Sequence, residues 1–149
     1  MINSHIAFFN PSITIPRAFF VFLAGVQLML NLSETIIQQF SAMFPLDNKQ
    51  AQIAMTTVLL NYAVAFTSKQ VSKESQNTCM SLCLLFLQGM TETEARFRNL
   101  VTLGTLLAAD ASNVMEAKKM DAKERVDAVK LLDTSEKVQQ CAAALLQSL

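Results

Sequence analysis

Three polar side chains set in apolar, helix-forming stretches are the residues best equipped for chemistry: Arg17, Asn61 and Arg98. Asn61 lies between Leu60 and Tyr62 in a segment that reads as closed to water. Burying an unpaired amide costs about 1–3 kcal/mol, so this side chain needs a partner. A side-chain amide offers both donors and an acceptor, the set required to grip the backbone of an extended peptide. A hydrogen bond to a neighbouring loop would satisfy it too, and both readings stand. Arg17 heads the first apolar stretch, and Arg98 sits between Phe97 and the pair Leu100, Val101. Taken singly, each arginine also fits a surface side chain whose stem covers apolar neighbours while its head stays in water.

Chemistry of the catalytic kind has no constellation to work with. The chain has no G-x-S-x-G, no H-E-x-x-H and no glycine-rich phosphate loop, which three glycines cannot build. His5 is the only histidine, so it has neither a nucleophile to activate nor a ligand set to join. Acidic residues cluster at expected helix starts, where a carboxylate offsets the helix dipole and satisfies free amides. Cys79 and Cys83 lie one helical turn apart in an apolar segment, and Cys141 leaves the count odd. All three read as free thiols acting as small hydrophobes in a reducing compartment. The expectation is a protein without catalysis, cofactor or metal, which leaves recognition.

The elements that position these residues follow from composition and period. At 149 residues with 52% hydrophobic side chains, the chain is one domain able to build a core without staples. Three glycines and three prolines leave too few turn formers for an all-β fold. Twelve basic and twelve acidic side chains balance, and no basic tract exceeds Lys118-Lys119, so phosphate neutralisation on a nucleic acid is not expected. Residues 1–68 hold only Arg17, Glu34, Asp47 and Lys49 among charged side chains, so the first half reads as interior and the second as solvated. The apolar stretch 18–30 spans thirteen residues, short of the length a membrane crossing requires.

Residues 1–16 read as an irregular leader. Helices are expected over about 16–30 and 33–44, the latter ended by Pro45. A long helix should run from Asp47 to about Phe66 with apolar residues all round, and another from Ser72 to about Gln88, stopped by Gly89. Thr91 with Glu94, Asp121 with Glu124 and Asp133 with Glu136 read as capping boxes opening the last long helix and two shorter ones. About eight helices, with long buried ones every 35 to 45 residues, predict an all-α armadillo/HEAT-like helical solenoid.

From Arg17 onward the sequence resembles the later part of the PUL domain, the C-terminal armadillo-type domain of the phospholipase-activating protein/Ufd/Lub family. The most specific stretches are Val58-Leu59-Leu60-Asn61-Tyr62-Ala63-Val64 and Glu94-Ala95-Arg96-Phe97-Arg98-Asn99-Leu100-Val101-Thr102-Leu103-Gly104-Thr105-Leu106-Leu107. Gln27-Leu28-Met29, Cys79-Met80-Ser81-Leu82, Ser112-Asn113-Val114 and Glu136-Lys137-Val138 support them in order and spacing. The resemblance implies that 17–149 form a partial, N-terminally truncated PUL domain. It implies a non-catalytic adaptor whose basic concave groove receives the acidic, aromatic-ended C-terminal tail of the AAA segregase valosin-containing protein. By position in the matching helices, Arg98 and Arg17 resemble the groove arginines and Asn61 the asparagine of the repeat between. Val21 stands where the family has an asparagine one turn after Arg17. Tyr62 is a further candidate contact for the tail's aromatic residue, or an amphipathic core side chain.

The spacing is compatible with that implication. Arg17, Asn61 and Arg98 are separated by 44 and 37 positions, about one repeat each, so stacked repeats would set them in a row. Upstream WD-repeat and ubiquitin-binding parts of the family are absent from this sequence, so ubiquitin is expected only indirectly, in a cytoplasmic or also nuclear setting of ubiquitin-dependent turnover. A solenoid that starts partway exposes the face its neighbour would cover. Phe8, Phe9 and Ile13 could fold back as a cap there; the rival reading is a scaffold fragment that binds another helical partner through the apolar face bearing Phe19 and Phe22.

Overall fold

The structure, a computed structural model, describes residues 39, 42, 43, 47–68 and 72–149, with the side chains of 67 and 68 excepted. The expected leader, most of the first two predicted helices, the apolar face 18–30 and Arg17 lie outside these residues; Gln39, Ala42 and Met43 are helical. The described residues hold six helices and no strand: α1 (Lys49–Ser68), α2 (Lys73–Gly89), α3 (Thr93–Ala109), α4 (Ser112–Lys119), α5 (Ala122–Leu132) and α6 (Glu136–Leu146). The fold is all-α and armadillo-like. With most of the two predicted helices that precede Asp47 outside the described residues, the expected eight reduce to six here. One of them, α4, was not assigned from the sequence.

Helix starts follow local chemistry where a suitable side chain sits in extended backbone. Ser72 accepts from the Ser75 amide at 3.2 Å and opens α2 as expected. Asn48, one residue later than the expected Asp47, accepts from the Ala51 amide at 3.1 Å and opens α1. The carboxylate of Asp110 accepts from both the amide and the hydroxyl of Ser112 at 2.8 Å and starts α4.

The three predicted capping boxes do not form. Asp121 occupies the left-handed region at φ 57°, which a short polar side chain tolerates in the tight α4–α5 turn. A cap needs extended backbone at that position, so the Asp121 side chain makes no capping bond. Asp133 accepts from the Ser135 amide at 2.8 Å, but Glu136 turns instead to Gln140. At α3 the helix begins at Thr93 with Glu92 in the cap position and no side-chain capping bond, and the connection before it is held by a side chain from another helix. Buried Gln52 of α1 accepts from the amides of Thr91 at 3.1 Å and Glu92 at 2.9 Å, and donates to the Thr91 hydroxyl at 3.1 Å.

Helix α3 is the centre of the fold, packing on α1, α2, α4 and α6. Its Leu100, Leu103 and Leu106 join Leu59 and Tyr62 of α1, Met80 and Phe86 of α2, Val126 of α5 and Val138 of α6 in one core. Its far end is also served from outside: Asn113 of α4 donates to the Leu106 carbonyl at 2.7 Å. α1 is less enclosed than its composition suggests. Ala54 is exposed, and Ile53, Val58, Leu60 and Val64 are half-buried.

Polar bonds between helices reveal the repeat. Gln52 meets Thr91 and Glu92, Lys49 meets Glu92 and Thr57 meets Arg98, so residue numbers on α1 and α3 rise together and the two helices run parallel. Lys73 and Gln76 of α2 reach Asn113 of α4, and Arg125 of α5 reaches Gln88 at 2.9 Å. Arg96 and Glu94 of α3 reach Asp133 and Lys137. These bonds join positions 37 to 43 apart, the spacing of one armadillo-like repeat upon the next.

Replacing Gln52 with Ala removes the acceptor for two amides of the α2–α3 connection. Urea unfolding of this variant should show a loss of about 1 kcal/mol at an unchanged m value, the net worth of hydrogen bonds to amides that water can partly reach.

Candidate functional site

Glu94 lies in the first turn of α3, and its carboxylate gathers charges from two elements. Arg98, one turn on, donates through Nε at 3.0 Å, and Lys137 of α6 donates through Nζ to the other oxygen. Lys137 also lies 4.8 Å from the ring centre of Phe97, within cation–π range. Arg98 uses a second nitrogen to reach the Thr57 hydroxyl of α1, which itself donates to the Ile53 carbonyl at 2.6 Å. The side chains of Arg98, Glu94 and Lys137 are 30%, 34% and 50% exposed, so the cluster is open to a ligand from solvent. Two cations meet one anion, leaving an excess positive charge. Lys137 first, and Arg98 second, hold the Glu94 carboxyl below the usual carboxylate range.

Arg96, two residues before Arg98, has a different task. It donates to the Met90 carbonyl at 2.8 Å and to Asp133 at 2.9 Å, and the Asp133 side chain is buried. This pair ties the α2–α3 connection to the start of α6. Of the two arginines in the Glu94–Leu107 stretch, Arg98 is the one facing the open cluster.

The other sequence candidates fall in different places. Asn61 is half-buried and lies one turn after Thr57 on α1, the residue that receives Arg98. It is therefore not the enclosed amide that the composition of its helix implied. That description belongs to Asn99, which is 0% exposed with no hydrogen-bond partner for either amide atom among the described residues. Tyr62 is 1% exposed, with its ring 6.0 Å from that of Phe66, and burial pushes its phenol above its ordinary pKa. It belongs to the core and presents no face to a ligand. Arg17 lies outside the described residues.

Lys137 and Glu94 were not read as site residues from sequence. The Glu94–Arg98 pair is legible as an i,i+4 contact, but Lys137 is 43 residues away and only repeat stacking brings it near. The thiols offer no reactive group. Cys79 and Cys83 are buried, burial raises the Cys83 pKa, and burial pushes Cys141 up to about 11. Among the described residues there is no metal-binding group of His, Cys, Asp and Glu, and no helix is long and apolar enough to cross a membrane.

Stacked helices with a half-open polar face between repeats define an armadillo-like helical module. The PUL domain family matches residues 19–144, and the chain belongs to that family. It is similar to phospholipase A-2-activating protein of Xenopus laevis, with 27% identity over 125 residues. The match covers 84% of this chain and 16% of that relative's length.

Glu94 also makes stability depend on pH. Its folded-state pKa is lowered, so its contribution is present above the unfolded value of about 4.3 and is lost as pH falls through the folded value. Solvent screening keeps that contribution below about 1 kcal/mol. Glu94→Gln should be slightly less stable than the parent in urea at neutral pH, and the two should converge in acid.

Proposed function

We propose that this chain is a non-catalytic docking module for an acidic, aromatic-ended peptide, with the C-terminal tail of the AAA segregase valosin-containing protein as its ligand. The observation that carries this reading is the convergence of Arg98 and Lys137 around a single carboxylate on an open face. Thr57 joins that face to α1, one turn from Asn61. Arg98 supplies the guanidinium for a ligand carboxylate, Asn61 the amide for its backbone, and Arg17 the second guanidinium one repeat earlier. Membership of the PUL domain family, a protein-interaction module, supports the same reading. The role follows as an adaptor that brings the segregase to ubiquitin-dependent turnover in the cytoplasm or nucleus, with ubiquitin itself held by other domains.

Charge-assisted hydrogen bonds contribute about 1.5–3 kcal/mol each, and less when exposed, which suits a micromolar site. Fluorescence anisotropy with a labelled acidic peptide carrying an aromatic residue near its C-terminus should show saturable binding that weakens with salt. Arg98→Asp should weaken it by more than about tenfold. Unchanged affinity in that variant rejects the docking face.

A further inference from the structure

We propose that Glu94 is a built-in competitor at this face, holding Arg98 and Lys137 as a ligand carboxylate would and thereby setting the affinity of the site. The inference rests on the docking reading above and concerns how that site is regulated.

The argument begins with the geometry of a guanidinium. Carboxylates grip arginine most firmly when two parallel N–H groups are available, either Nε with one terminal nitrogen or the two terminal nitrogens together. In Arg98, Nε donates to Glu94 and one terminal nitrogen donates to Thr57. Each pair therefore has one member already committed. A two-point grip through Nε requires the release of the charged partner, Glu94, whereas one through the two terminal nitrogens must share the nitrogen that holds the neutral partner, Thr57. If Thr57 lets go, the incoming carboxylate lies beside the Glu94 charge and is repelled. If Glu94 lets go, Arg98 becomes available through Nε, and Lys137 loses its carboxylate partner in the same step.

Lys137 is thus a second ligand cation, freed by the same exchange and standing over the Phe97 ring. The cluster is half-exposed, so the competing pairs are of the weak, screened kind that a ligand can replace. Glu94 is ionised at neutral pH, since both cations lower its pKa. The competitor is therefore in place under ordinary conditions. Where the binding-competent form is only a fraction of the whole, apparent affinity falls by that fraction, and removing the competitor restores it.

The test is peptide titration by anisotropy, at low and physiological salt, with the parent chain and Glu94→Gln, Thr57→Val and Arg98→Asp. Circular dichroism confirms that each variant is folded. Glu94→Gln should bind about three- to tenfold more tightly, with a steeper salt dependence, because a further unit of positive charge faces the ligand. Thr57→Val frees a nitrogen of Arg98 but leaves the Glu94 charge in place, so it should not tighten binding. An affinity in Glu94→Gln that is unchanged or weaker, while Arg98→Asp still abolishes binding, overturns the competitor role and leaves the docking reading intact. Tightening by Thr57→Val alone overturns it as well. No effect of Arg98→Asp, or no binding by the parent chain, takes down both.

Discussion

Backbone amides on the way into a central helix and carbonyls in its last turns need partners, and in this fold both draw on side chains from other helices. Gln52 of α1 accepts from the two amides just before α3, and Asn113 of α4 donates to the Leu106 carbonyl near its end. These two amide side chains bracket the helix along its axis, while its leucines fix its rotation against the core. Sliding or turning α3 would leave buried backbone groups unpaired. The rest of the structure depends on that restraint, because α3 carries both the core of the stack and the charged face.

Once α3 is held, the charges sort by depth. Arg96 turns toward buried Asp133 and the Met90 carbonyl, and the pair works as a tie between successive repeats. Arg98, two positions on, emerges on the other side, where its partners are a threonine hydroxyl and a partly solvated glutamate. The same side-chain chemistry thus serves cohesion in one place and availability in the other. Depth decides between them: an enclosed pair is costly to break, whereas an open one exchanges its partners readily.

The amides show a similar division. Gln52 and Asn113 are enclosed and bonded to backbone, Asn61 is half-open beside the charged face, and Asn99 is enclosed without a partner. Neither a residue's type nor the apolarity of its helix told these apart. Asn61 and Asn99 both stand in apolar stretches, yet only Asn99 lies on the face of its helix that the core covers. α1 leaves Ala54 exposed and several aliphatic side chains half-buried, so its even hydrophobicity overstated its enclosure.

Local pattern was sufficient for the helices themselves. The expected segments 47–66, 72–88 and 91–108 fall within a few residues of α1, α2 and α3, because periodic apolar positions and breaking residues act over one or two turns. The all-α class and the repeat spacing were legible for the same reason; Arg98 came forward through the resemblance to the PUL family, since by pattern alone it also fits a surface side chain. The short α4 was not, since its start depends on an aspartate turn rather than on a long apolar stripe. What the tertiary structure alone decided was partnership: that Gln52 of α1 holds the connection into α3, that Glu94 adds Lys137 to its helical neighbour Arg98 rather than closing its own helix start, and that Lys137 belongs beside Arg98. Those partners between helices lie 39 to 43 residues apart, and nothing within a helix specifies which face the next repeat will cover until the repeats are stacked.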